Sequence, residues 1–258
     1  MGFAQTIILG IIEGLTEFLP VSSTGHLVLA ARVLGLAQSD FLKSFEIAIQ
    51  LGAILAVAVL YWKTLVGEPR VAAKILTAFA PTAAAGLLLY NFVRAWLGNE
   101  AVILWALFGG GVFLILFEMT RGGDDANSGE GGELGLVSYS QAFWIGLIQA
   151  VSMIPGVSRA AATIVGGMLA GLSRKTAVEF SFLLAAPTML AAAGFDLFKN
   201  FERFSFDQFG LLTVGFLASF LAALGTVKFL LGFIKNHNFT SFGVYRVAVA
   251  AMFWILLR

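Results

Sequence analysis

Leu19-Pro20-Val21-Ser22-Ser23-Thr24-Gly25-His26 and Ile154-Pro155-Gly156-Val157-Ser158-Arg159 each interrupt a long apolar stretch, the first within Gly2 to Leu36 and the second within Tyr139 to Leu172. Proline stops the preceding helical turn, and the glycine and serine beside it suit a tight turn followed by a new N-cap. Each stretch therefore reads as a half-helix, a polar break and another half-helix. Around them lie uncharged runs near the roughly 20 residues that a helix needs to cross a bilayer core. These are Phe45 to Trp62, Ile75 to Val93, Ala101 to Phe117, Phe180 to Phe195, Gln208 to Val227, and Ser241 to Leu257 with Arg246 inside it. Backbone released at membrane depth must be buried in protein or line a wet cavity. Two such breaks predict a site.

The composition agrees. The 258 residues are 59% hydrophobic and only 12% charged, with mean hydropathy +0.91, where a soluble domain is about a quarter charged. The fold class expected is all-α, a polytopic integral membrane protein. Sixteen Lys and Arg against 15 Asp and Glu leave a net charge of +1, so no broad basic surface exists and nucleic acid is excluded as a partner. The absence of cysteine removes disulfides, thiolate nucleophiles and Cys-ligated metals, and two histidines, His26 and His237, are too few for a three-His metal site. No Lys or Arg precedes the apolar Phe3 to Ile12 stretch, so the first segment is expected to belong to the mature fold and not to a cleaved leader.

The breaks occupy corresponding places. Gly10-Ile11-Ile12-Glu13 aligns with Gly146-Leu147-Ile148-Gln149 and, after a single-residue gap, Pro20-Val21-Ser22-Ser23 aligns with Pro155-Gly156-Val157-Ser158. Downstream, Phe45-Glu46-Ile47-Ala48 matches Val178-Glu179-Phe180-Ser181. An internal duplication follows: membrane repeat one over residues 1–119, a polar linker over 120–138 rich in Gly, Asp and Glu, and membrane repeat two over 139–258, together one domain. The length of the unit and its odd count of crossings favour inverted topology, with two re-entrant broken segments meeting near the midplane.

Glu13 and Glu17 stand four apart and share one helix face, where they can hold a divalent cation or divide base and electrostatic roles. Carboxylates are expensive among such apolar neighbours, which argues for function over a solvated face. His26 follows a hydroxyl cluster and is a candidate general acid, base or nucleophile. Arg159 opens the second half-helix of repeat two, where a guanidinium and free N–H groups together make an anion site. The labour is divided: repeat one brings the acids and imidazole, repeat two the cation, with Gln149 and Met153 replacing Glu13 and Glu17. Glu46 and Glu179 follow Lys43 and Lys175 at spacings that suit a helix-end ion pair, and a functional role fits them equally. The glycines at 109–111 and from Gly167 to Gly171 read as close helix packing. Arg246, beside Tyr245, is expected to snorkel or pair near the membrane interface, and His237 to be solvated.

The run from Glu13 to His26 closely resembles the first signature of the BacA-type undecaprenyl pyrophosphate phosphatases, and Pro155 to Thr163 resembles the second. Ala160 and Ala161 stand where that family often has Ser-Gly, so one hydroxyl contact is missing. The resemblance spans essentially the whole chain. It implies hydrolysis of undecaprenyl diphosphate to the monophosphate carrier of cell-wall synthesis, in the bacterial plasma membrane, with a divalent cation (Mg2+ or Ca2+), bacitracin tolerance when abundant, and membrane lipid as surroundings. Carried onto these residues, it suggests Glu13 and Glu17 on the metal, with Glu17 also a base. Arg159, Ser158, Thr163, Ser22 and Thr24 lie on the phosphates, and Ser23, His26 or a metal-activated water is the nucleophile. A lipid-phosphate transporter or flippase on the same scaffold is the alternative, since inverted repeats with broken helices also serve transport. A homo-oligomer is left open.

Overall fold

The computed structural model describes residues 1–37, 39–96, 99–121, 134–200 and 209–256. Among the described residues there are helices and no strand: α1 (Phe3–Thr16), α2 (Ser23–Val33), α3 (Asp40–Gly67), α4 (Pro69–Trp96), α5 (Glu100–Arg121), α6 (Tyr139–Gln149), α7 (Arg159–Leu169), α8 (Arg174–Asn200), α9 (Phe209–Phe233) and α10 (Thr240–Leu256). Helices α3, α4, α5, α8 and α9 are long and apolar enough to cross a bilayer, and the chain is an all-α, multi-pass membrane protein. The run from Ser241, expected as a sixth crossing, forms α10, whose 17 described residues fall just short of that length. Most of the linker at 120–138 lies outside the described residues.

Both expected breaks are present. Helix α1 stops at Thr16 and Ser22 caps α2, while α6 runs into a 3-10 turn (Ala150–Met153) and Ser158 caps α7. Ser22 and Ser158 have φ of 71° and 81°, the only positive values among described non-glycine residues. That backbone region is unfavourable for a residue with a β-carbon. Each hydroxyl offsets part of the cost by accepting a helix N–H three residues on, from Gly25 at 3.3 Å and from Ala161 at 3.2 Å. The same unusual cap thus stands in each half and corrects the alignment by one residue: Ser22, not Ser23, is the counterpart of Ser158, and no gap is needed after Glu13 and Gln149.

The two halves interlock: α1 packs along α9 and α6 along α4, while α3 meets α8 and α5 meets α10. Small residues permit the approach, as expected where dispersion and not water expulsion drives helix association. A β-carbon on Gly10 would run into the carbonyl of Gly215 on α9, and one on Gly146 into the carbonyl of Ala78 on α4. Phe18, at the first break, is fully buried edge-on to Phe182 of α8, with ring centroids 5.4 Å apart. Distant from the breaks in sequence, Glu118 on α5 accepts from Arg174 of α8 at 2.8 Å and from the Phe239 N–H at 3.0 Å, anchoring the chain just ahead of α10.

Candidate active site

The two breaks meet at one carboxylate. Glu17, in the turn after α1, accepts the Ser23 hydroxyl on Oε2 at 2.5 Å and the Arg159 guanidinium on Oε1 at 2.8 Å. Ser23 sits at the start of α2 and Arg159 at the start of α7, so the contact crosses from one half of the sequence to the other. Both charged side chains are nearly buried, at 6% and 12% exposure. In such a setting the pair is held by hydrogen bonds as well as charge. Arg159 is aimed by its second nitrogen, which donates to the Ser181 carbonyl on α8 at 2.9 Å, and by the Phe18 ring, 5.7 Å from its Cζ. Its Nε is buried without a partner among the described residues, which leaves a donor for an incoming anion.

His26 lies on the next turn of α2. Its Nδ1 is 2.8 Å from the Ser22 carbonyl and its Nε2 is 2.8 Å from the Tyr245 hydroxyl on α10. A carbonyl only accepts, so Nδ1 carries the proton, and in the neutral ring Nε2 accepts from Tyr245. Tyr245→Phe is therefore expected to lower turnover roughly tenfold, the worth of one such hydrogen bond, without loss of thermal stability. Turnover equal to wild type in steady-state assays would separate His26 orientation from the reaction.

Glu13 is fully buried one helical turn before Glu17, and neither of its oxygens has a hydrogen-bond partner among the described residues; the same holds for Oε1 of Glu46 on α3. Glu17, Glu46 and Arg159 are among the groups whose charge acts on Glu13. Buried carboxylate oxygens left unpaired call for a cation or a proton, so this donor set fits a divalent ion. Glu17 differs, since both its oxygens are taken by Ser23 and Arg159. Among the described residues no group of three His, Asp or Glu is placed to hold an ion alone. That pattern suits an ion completed by substrate phosphate oxygens. In the other half, Gln149 at the Glu13 position donates to Thr82 and Thr188 at 2.8 and 3.2 Å, an amide engaged by neighbouring hydroxyls.

The remaining expected phosphate ligands divide. Ser22 and Ser158 spend an oxygen lone pair as caps and keep their O–H to donate. Thr24 is half-buried in the first turn of α2. Thr163 is buried against Ser181, with oxygens 2.6 Å apart, and also bonds its own helix carbonyls. It supports the Arg159 rest position and does not face the turns through that bond. Arg246 corrects the expectation of an interfacial, snorkelling residue: it is 0% exposed and its guanidinium bonds carbonyls of both breaks. Carbonyls freed by the breaks need donors, and α10 brings one to them. Ser181, Tyr245 and Arg246 were missed. The signal available for Arg246 was an ionisable residue inside an apolar run.

A multi-pass helical membrane protein with a buried serine, carboxylate and arginine site shared between two broken-helix halves is the class that fold and geometry define. The chain belongs to the family described as bacitracin resistance protein BacA, which it matches over residues 6–252. Similar proteins named undecaprenyl-diphosphatase include one from Aquifex aeolicus (strain VF5), 47% identical over 96% of each chain. One from Wolinella succinogenes is 47% identical over 100% of this chain and 99% of its own. Another, from Thermus thermophilus, is 44% identical over 96% and 95%.

Proposed function

We propose that this protein hydrolyses undecaprenyl diphosphate to undecaprenyl phosphate and inorganic phosphate in the bacterial plasma membrane, renewing the carrier lipid of cell-wall synthesis. The observation that carries this reading is the Glu17 carboxylate, in contact with a hydroxyl nucleophile on one side and a phosphate-binding guanidinium on the other. In the free protein Glu17 is shared. A diphosphate arriving at Arg159 competes for the guanidinium and leaves Glu17 to act on Ser23.

The Ser23 oxygen then attacks the terminal phosphorus while its proton passes to Glu17. The bond to the bridging oxygen breaks and undecaprenyl phosphate departs as an anion, needing no proton. Water then attacks the phosphoserine phosphorus, the bond to the Ser23 oxygen breaks, and Glu17 returns its proton to that oxygen as it takes one from the water, which leaves with inorganic phosphate. Arg159, the O–H groups of Ser22 and Ser158, and the N–H groups opening α2 and α7 hold the phosphate oxygens through both steps. His26 orients the attacked group from the following turn. A divalent cation, Mg2+ or Ca2+, held by Glu13 and by Glu17 once Arg159 has turned to phosphate, would supply charge neutralisation at the diphosphate. The scaffold is an inverted repeat whose broken segments re-enter the membrane from opposite faces, which brings a lipid headgroup to a buried site while its tail stays in the bilayer.

Sealed vesicles of the purified protein with undecaprenyl diphosphate test this directly. Release of inorganic phosphate that EDTA abolishes and added Mg2+ or Ca2+ restores is expected. Glu13→Gln should raise the ion concentration for half-maximal rate at least tenfold. Movement of the intact lipid diphosphate between leaflets with no phosphate released would overturn the hydrolase in favour of transport.

A further inference from the structure

Arg246 on α10 is the largest fully buried side chain among the described residues, and none of its five N–H donors is spent on a carboxylate. Nε donates to the Leu107 carbonyl at 3.3 Å. One terminal nitrogen donates to Pro20 and Val157 at 3.3 and 3.0 Å, and the other to Ala106 and Gly156 at 2.9 and 3.0 Å. Five donors meet five carbonyls, which is the full capacity of a guanidinium. The acceptors come from three places: Ala106 and Leu107 on α5, Pro20 in the first break, and Gly156 and Val157 in the second. Pro20 lies three residues before Ser23, and Val157 two residues before Arg159.

The neighbouring chain is shaped around this group. A β-carbon on Gly110 of α5 would overlap the Arg246 guanidinium, and Gly156, with φ of 97°, has no room for one against the Ile103 carbonyl. A buried cation without an anion is costly, and apolar packing would join three segments at lower cost. What apolar packing lacks is direction: a planar fork sets the two breaks at one angle and spacing.

We infer that Arg246 is a positioning residue, a clamp from the C-terminal helix that holds the two breaks in register so that the Glu17–Ser23 pair and Arg159 face one phosphate. This rests on the proposed hydrolase, although the register itself does not. Lysine, with three donors at a point, cannot bridge five carbonyls. Alanine at 110 strengthens α5 as a helix former while displacing the guanidinium, so it perturbs the clamp without removing the charge or weakening its helix.

The test takes purified full-length protein bearing Arg246→Lys, Arg246→Met or Gly110→Ala and measures two things. The first is kcat and KM for undecaprenyl diphosphate. Arg246→Lys and Gly110→Ala should lower kcat on the order of 10²-fold, the effect of a misplacement near 1 Å, with KM changed by less than about threefold because Arg159 still meets phosphate. The second uses the cysteine-free background: spin labels at Leu19→Cys and Ile154→Cys report the distance between the breaks. A narrow distribution should broaden in all three variants that fold, with Gly110→Ala and Arg246→Lys deciding if Arg246→Met does not. Wild-type kinetics in Gly110→Ala and Arg246→Lys, or unchanged narrow distances, overturn the clamp. Broadened distances in a protein whose wild type releases no phosphate would keep the clamp and reject the hydrolase.

Discussion

Arg159→Ala is expected to lower kcat for undecaprenyl diphosphate by about three orders of magnitude and to raise KM as well. The guanidinium is the cation that faces the substrate from the second half of the chain, and removal of an arginine that stabilises a phosphoryl transition state costs roughly 10³-fold or more. Two losses add here. Phosphate loses its bidentate donor, and Glu17, now lacking its partner at 2.8 Å, becomes a buried carboxylate opposing the incoming negative charge. An unpaired charge at this depth also destabilises the fold, by an amount on the order of 3 kcal/mol for a buried pair broken on one side. Arg159→Lys separates the effects. It keeps the charge and most of the stability, yet it cannot reach Glu17 and the Ser181 carbonyl together, so its kcat should remain at least tenfold below wild type in steady-state assays. Full activity in Arg159→Lys would show that charge alone suffices.

Glu17→Gln is expected to lower kcat by about 10³-fold without raising KM. The amide keeps the volume and can still accept a hydrogen bond from Ser23, but it takes no proton, and loss of a positioned base costs roughly 10² to 10⁴-fold. Its effect on binding has the opposite sign from Arg159→Ala, because the guanidinium no longer has a carboxylate to satisfy and is free for phosphate. Ser23→Ala should match Glu17→Gln in kcat, and the double variant should lose little more than either, as groups acting in one step do. Losses that multiply in the double variant would place the two residues in separate steps.

Much of this arrangement was legible in the chain. Pro20 and Pro155 beside Ser22 and Ser158 marked both breaks, since local backbone chemistry suffices to end and restart a helix. Glu17 was singled out for the cost of carboxylates among apolar neighbours, Arg159 for its place at the start of a half-helix, and Ser23 as a candidate nucleophile with the family resemblance, and the geometry joins them. Other features depend on partners remote in sequence. Arg246 looked interfacial because its run shows nothing of Pro20 or Gly156, which reach it only after α10 has packed on α5. Tyr245 has the same origin, and Ser181 was quoted in the repeat alignment without a role because its partner, Arg159, lies across a helix pair. The sequence also treats Glu13 and Glu17 alike, four residues apart on one face. The fold distinguishes them, giving Glu17 two partners and leaving both Glu13 oxygens without one among the described residues.

The measurement that bears most directly on the site between the halves is product formation by the purified protein in detergent. Undecaprenyl phosphate and inorganic phosphate are counted together in the presence of Mg2+ or Ca2+, for wild type, Glu17→Gln and Arg159→Ala. The expected result is one phosphate per undecaprenyl phosphate in the wild type and loss of both products in each variant, with all three proteins folded. Undiminished release in both variants, or no release from folded wild type, would contradict it.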